Sequence, residues 1–451
     1  MQQRLLQHLL AQVVTLGDHH ITGLLSTCGR QHLDWTSDYR MYSRQRIAPQ
    51  RLFAQVRSAL LESLPPAAPV VVAVDDTRLR KSGRQVAGAK YTRDPLGPPF
   101  HTNFIWAQRF LQLSMAGGSP RHARLVPIDW QHAPTPRKPS AKASAQERQA
   151  WRQACRKQSL GRVAVARLQQ LRSWLDQQGH RERPLWCVAD GGYTNGTVLK
   201  NLPERTTFVG RIRADAKLHF LPVGAHATGR PRIYGAVAPT PDELRRDESV
   251  GWTRLPVWIG GRRHEIRVKT MGPLRWRAAG GGHTLRLVVI APLHYRTSPS
   301  GKYLYRRPAY LISTDPRADI GAVVQRYLSR WDIEVNFRDE KTLLGVGEAQ
   351  VRTAHAVENV TATAVAAYAL LLAAALKLPS DGDELALPRP KWQRRSRCRA
   401  TTPRLIQQMR WELWGKAMRF SHFVAHEPRS RSLENSLANP QSAVMYCSRY
   451  S

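Results

Sequence analysis

Apolar residues follow different rhythms along the chain. Near the start they recur every three or four positions, at Leu5, Leu6, Leu9, Leu10 and Val13 and again at Leu52, Phe53, Val56, Leu60 and Leu61. That spacing predicts amphipathic helices and an all-helical segment over residues 1–68. From Val70 and from Leu185 the rhythm changes to unbroken runs, VVVAV and LWCVA. Such short runs predict fully buried strands, the first closing on Asp75–Asp76–Thr77 and the second on Asp190–Gly191–Gly192. Further strands are expected over 103–115, 123–128 and 206–212, with a helix over 195–201. One long helix is expected over 147–178, with Arg162, Arg167 and Arg172 facing outward. Residues 78–99 are basic and rich in Gly and Pro and read as a long loop; 131–147 read as a linker. Between 214 and 305, short alternating runs among Gly and Pro predict a β-rich insertion. A strand at 309–313 then leads into a helix from near Asp319.

The resulting order of strand, strand, strand, helix, strand, helix, strand, helix predicts an α/β fold with a mixed-sheet, RNase H-like core. The expected division is a helical N-terminal domain (1–68), a first part of the core (69–213), the β-rich insertion (214–305), a second part of the core (306–378) and a basic C-terminal region (379–451). That last region contains the run PRPKWQRRSRCR and one further helix from Pro403. The apolar run over 361–376 is alanine-rich and shorter than the ~20 residues a membrane span needs, so it is expected to be a buried helix.

Charge narrows the partners. Lys and Arg number 69 against 33 acidic residues, a formal net charge of +36 in 451 residues. Self-repulsion of that size implies a polyanionic partner, DNA or RNA. Five scattered cysteines with no Cys-x-x-Cys pair argue against a disulfide framework or a zinc site and for a reducing cytoplasm. The opening MQQRLLQHLLAQVV lacks the order of a secretory signal.

The candidate chemistry gathers in YLSRWDIEVNFRDEK. At about 100° per residue, Tyr327, Arg330, Glu334 and Lys341 fall within about 60° of one another on a helix face. A phenol, a guanidinium, a carboxylate and an ammonium on one stripe suit a site for a polyanion, the carboxylate holding a metal and the others contacting phosphate. Asp75 or Asp76, together with Asp190, would add carboxylates where buried strands end and α/β sheets open to solvent. Each Asp taken singly reads equally well as a turn or cap residue. Lys81, Lys90, Arg84 and Arg93 after the first Asp, and Arg211, Arg213 and Lys217 after the later strand, are candidate phosphate contacts. Trp331 is expected to be a core residue.

The succession Asp, Asp, Glu, with Tyr327, Arg330, Glu334 and Lys341 in the spacing Tyr-(2)-Arg-(3)-Glu-(6)-Lys, resembles the DDE transposases of bacterial insertion sequences. The words VDDTRLRKSG, VADGGYTNG and RWDIEVNFRDEKTLLGVGEAQ extend the likeness over about 70–360. The resemblance implies an RNase H-like core interrupted by a β domain, and cleavage and strand transfer at DNA phosphodiesters. It also implies two Mg²⁺ ions, replaceable by Mn²⁺, held by Asp75 or Asp76 with Asp190 and Glu334. Asp75 is favoured because Asp-x-Thr recurs in relatives, and Tyr327, Arg330 and Lys341 would contact the DNA backbone. The implied partners are element ends with terminal inverted repeats, target DNA and a second copy of the chain, with no membrane. An RNase H-like nuclease or resolvase that cuts without joining, or a non-catalytic DNA-binding relative, are the rival readings.

Overall fold

A computed structural model of the chain describes residues 1–44, 46–98, 100–119, 122–223, 232–295, 302, 304–378, 399–415 and 444–445. Helices α1 (Gln2–Val14), α2 (Ile21–Thr27), α3 (Thr36–Ser43) and α4 (Pro49–Ser63) precede strands β1 (Val70–Arg80), β2 (Lys90–Arg93), β3 (Phe104–Gly117) and β4 (Arg124–His132). Next come α5 (Ala145–Lys157), α6 (Leu160–Gln177), β5 (Leu185–Ala189), α7 (Gly196–Leu199) and β6 (Thr206–Arg211). The following stretch holds β7 (His219–Phe220), α8 (Pro241–Arg246), β8 (Thr253–Ile259), β9 (Arg262–Arg275), β10 (Leu285–Ile290), β11 (Leu293–Tyr295) and β12 (Leu304–Arg306). The chain continues through β13 (Ala309–Ser313), α9 (Ile320–Ser329), α10 (Asp332–Thr342), α11 (Ala354–Ala375) and α12 (Thr402–Trp414).

These elements make a mixed α/β fold around one sheet of 11 strands. β4, β3 and β1 run antiparallel, β1, β5 and β6 run parallel, and β13 returns antiparallel on β6. The strands of the expected insertion do not stand apart: β10 pairs with β13, and β9 continues the same sheet. Their burial explains this, since Leu287, Val288 and Val289 are as buried as the strands of the centre and need neighbours on both edges. The four N-terminal helices are likewise joined to the rest. α1, α3 and α4 pack on α11, and Leu9, Val13, Phe53 and Leu60 belong to the same apolar core as β1, β3 and β5. Each large side chain sealed there, such as Phe53, Phe110 or Tyr368, contributes on the order of 1.5–3 kcal/mol.

α11 is long and apolar enough to cross a membrane by composition, yet most of it is buried inside the fold. Trp130 on β4 donates its indole N–H to Thr361 Oγ1 on this helix at 3.0 Å. The run 388–398 lies outside the described residues.

Three expectations need correction. The helix expected over 147–178 is two: α5 ends at Lys157 and buries no residue, and α6 begins after Ser159 with Ala164, Leu168, Leu171 and Leu175 buried. Arg172 turns inward rather than outward. Its guanidinium donates to the carbonyls of Arg183 (2.7 Å) and His180 (2.8 Å) and fastens the turn before β5. Arg167 is also engaged, forming a two-pronged pair with the buried Asp129. Finally, β1 does not end at Asp75. It pairs with β3 as far as Arg80 (with Ala107), whereas its parallel partner β5 stops at Ala189, opposite Val74.

Candidate active site

That difference in strand length creates the opening. Asp75 is the first β1 residue beyond the β5 register, and Asp190 is the residue at which β5 leaves the sheet. The two carboxylates therefore extend from adjacent parallel strand ends. They repel each other: burial first and the Asp190 charge second push the Asp75 carboxyl up to about 7. The Asp76 N–H, donating to Asp75 Oδ1 at 2.8 Å, and Arg330 oppose that shift.

Successive strand residues point to opposite faces, and Asp76 turns away from Arg330. Its Oδ1 accepts the Tyr193 hydroxyl at 3.0 Å. Burial raises its pKa against the pull of Arg78, Tyr193 and Arg109. Asp76 thereby holds the loop that follows Asp190. In that loop Gly192 N–H donates to Asp190 Oδ1 (2.8 Å), Thr194 Oγ1 donates to the Asp190 carbonyl (2.8 Å), and the Asn195 side chain caps α7. β6 presses against it so closely that a Cβ on Gly210 would collide with Thr194 Oγ1 and the Phe208 ring.

Glu334 arrives on α10. The stripe expected on one straight helix is bent, because α9 ends at Ser329 and α10 begins at Asp332. Between them the amides bond three residues back rather than four: Arg330 N to Tyr327 O, Trp331 N to Leu328 O, Ile333 N to Arg330 O and Glu334 N to Trp331 O. This tightened turn aims Arg330 into the sheet opening. Its guanidinium donates to Asp75 Oδ2 at 3.2 Å and to Glu334 Oε1 at 3.0 Å, and lies 6.0 Å from the Tyr327 ring centre. Burial opposes the Arg330 charge, but Tyr327, Asp75 and Glu334 outweigh it and raise its pKa.

Asp190, Arg330 and Glu334 line one groove of ≈ 1300 Å³, with Arg211, Arg213 and Tyr327 on its wall. Its lining holds five cations (Arg211, Arg213, Lys217, Arg307, Arg330) against three carboxylates (Asp190, Asp215, Glu334), so the groove is net basic. Asp75 joins it through Arg330. Among the described residues no three His, Cys, Asp or Glu side chains form a ready metal cluster. The expected meeting of three carboxylates is thus a pair, Asp75 and Asp190, with Glu334 one guanidinium away. A cation between like charges is what electrostatics requires there. Asp75 and Asp190, close enough for each to feel the other's charge, offer the hard oxygen donors a divalent ion takes.

Other expected site residues fall elsewhere. Lys341 does not line the groove. Seven residues after Glu334, about 10 Å along a helix, it is half-buried and faces Glu340, Arg78, Arg80 and Asp94. Lys81, expected at a phosphate, points into the protein. It is 8% exposed, and its ammonium donates to the carbonyls of Gly347 (2.5 Å) and Ala349 (3.3 Å). Lys90 sits on β2 outside the groove lining. Arg213 is exposed and forms a two-pronged pair with Asp215 at 2.9 Å. Trp331, expected in the core, is 60% exposed in the groove because the tightened turn pushes it out. Tyr193, Trp276 and Arg307 were not singled out by sequence. Only Tyr193 left a signal, its place three residues after Asp190.

The sequence profile of the DDE superfamily endonucleases matches residues 2–271, a span that holds Asp75, Asp76 and Asp190 but ends before Glu334. Comparison with curated proteins gave no match. With more than half its length matched, the chain belongs to the DDE superfamily endonucleases, a nuclease-type family whose substrate class is DNA.

Proposed function

We propose that this protein is a DDE transposase of the insertion-sequence type, which cleaves the ends of a mobile element and joins them to target DNA. The observation that carries the reading is the link Asp75–Arg330–Glu334 beside Asp190 in a basic groove. The strand order β4-β3-β1-β5-β6, antiparallel and then parallel, supports an RNase H-like core.

Asp75, Asp190 and Glu334 are the residues that would hold divalent ions. Such ions, when bound, supply charge stabilisation to both the attacking and the leaving oxygen of an in-line displacement. The protein's own groups do the rest. Arg330 turns its guanidinium from the carboxylates to a phosphate, for which its fork is suited. Arg211 and Arg213 neutralise the backbone on either side, and Tyr327 supports Arg330 from below. Asp76 acts through Tyr193, keeping the Asp190 loop against the sheet. Water serves as nucleophile for the cut and a DNA 3′-hydroxyl for the join. Two element ends must be handled together, which calls for a second copy of the chain.

The test uses duplexes bearing the inverted repeats that flank the coding region. With Mn²⁺ and a pre-cut end, the full-length protein should insert the labelled 3′ end into a supercoiled plasmid. Cutting of the uncut duplex without any joining of the pre-cut end would make the protein a plain nuclease and defeat the transposase reading.

A further inference from the structure

We infer that the ribbon formed by the outer half of β1, by β2 and by the start of β3 is a second DNA-contacting element, which places aromatic rings against bases some distance from the cleavage groove. The inference rests on DNA as the substrate but not on strand transfer.

Beyond Asp75 the ribbon leaves β5 behind: β1 runs beside β3 as far as Arg80, opposite Ala107, and β2 takes up β3's other edge from Lys90, opposite the same Ala107, out to Arg93. Its outer strand and tip leave large apolar side chains in solvent: Tyr91 is 71% exposed, Leu96 89%, Phe100 91% and Phe104 60%. Scattered exposed apolar residues are ordinary, but a cluster within fourteen positions is not. The register groups it further, because Tyr91 pairs with Trp106 and Arg93 with Phe104, and paired residues share a face. Tyr91 and Trp106 meet edge to face with ring centres 5.1 Å apart, and the Trp106 indole donates to the Gly83 carbonyl at 2.9 Å. The aromatic surface is therefore braced from below.

Charge selects the occupant. Arg93, opposite Phe104, is exposed, as is Arg84, which follows the Gly83 that Trp106 bonds, and Lys90 is half-buried next to Tyr91. A second copy of a chain with net charge +36 would meet this basic ribbon with repulsion, whereas a polyanion is attracted. Rings that lie beside an arginine suit DNA, since exposed apolar side chains can wedge into a base step while cations hold the phosphates. From Asp75 to the level of Tyr91 is about six residues of strand, roughly 20 Å at ~3.3 Å per residue. At ~3.4 Å per base pair that is about six pairs from the bond being cut. Alternation along β1 and β3 puts Tyr91 and Arg93 on the Asp75 face of the ribbon.

The test measures binding without metal, so that it does not depend on cleavage. A 30-base-pair random-sequence duplex labelled with fluorescein serves as the probe for full-length wild type, Tyr91→Ser with Phe104→Ser, and Arg84→Gln with Arg93→Gln. Loss of the rings should weaken binding about tenfold or more with the salt dependence unchanged, because a wedge carries no charge. Loss of the two arginines should lower the slope of log K against log salt by about 1.8. The pair Tyr91→Phe with Phe104→Tyr, which keeps both rings, should bind like wild type and separates wedging from misfolding. Wild-type affinity in the serine pair would overturn the inference. So would a change in oligomeric state with unaltered DNA binding, which would make the ribbon a protein contact.

Discussion

Glu340 provides a sharp test of the packing around the candidate site. It is 1% exposed, and no hydrogen bond of good geometry reaches either carboxylate oxygen, although the Gln112 side chain lies close enough to favour the charge. Burial pushes its pKa up to about 8, with Gln112 and Lys341 favouring the charge too weakly to offset this. The neighbouring Gln112 has its own unpartnered oxygen, Oε1. One proton on Glu340 would satisfy both, and Glu340→Gln supplies an N–H permanently. An acid whose folded-state pKa lies above its unfolded value of 4.5 holds the fold best when protonated. That contribution is complete below pH ~4.5 and is lost as pH rises through ~8. At ~1.36 kcal/mol per pKa unit, the wild-type deficit is about 3 kcal/mol at pH 7 and about 5 kcal/mol at pH 9. Urea unfolding of both proteins from pH 5 to pH 9 should show the variant gaining stability with pH and converging with wild type toward pH 5. A variant that is no more stable at pH 8, or a gap independent of pH, would refute the reasoning.

Three further outcomes follow from the geometry. Lys81→Met should leave duplex affinity unchanged in an anisotropy titration while lowering the unfolding midpoint, because the ammonium holds the Gly347 and Ala349 carbonyls; a loss of affinity would restore it as a phosphate contact. Gly210→Ala should destabilise by about 1–3 kcal/mol in chemical denaturation, since its Cβ would strike Thr194 and Phe208. Binding of Mn²⁺, followed by calorimetry, should strengthen as pH rises toward about 7, where Asp75 gives up its proton, and level off above; a flat profile from pH 5.5 to 8 would remove Asp75 from the metal set.

Much of this arrangement is written in local patterns. The runs before Asp75 and Asp190 are apolar on both faces because those strands are buried on both, so periodicity alone finds them. The α11 run is legible for the same reason. What local pattern does not carry is pairing. β1 extends past Asp75 through Arg78 and Arg80 because β3 lies alongside, and a basic, Gly-flanked stretch gives no hint of that partner. Lys81 and Arg172 look like surface cations until the carbonyls they bind, 266 and 11 residues away, are brought to them. The bend at Arg330–Trp331 falls in a stretch with no Gly or Pro to mark it. A regular helix was the natural expectation; the bend turns Trp331 out into the groove, while Glu334 and Lys341 stay together on α10.

The claim on which the account turns is that Asp75, Asp190 and Glu334 serve one cutting centre. Single-turnover nicking of a supercoiled plasmid bearing the flanking inverted repeats, with Mn²⁺, should be compared for wild type, Asp75→Asn, Asp190→Asn and Glu334→Gln, each first shown to bind the same DNA. The account predicts that every one of the three loses nicking by about a thousandfold or more while retaining DNA affinity. Wild-type nicking by any of them would contradict it.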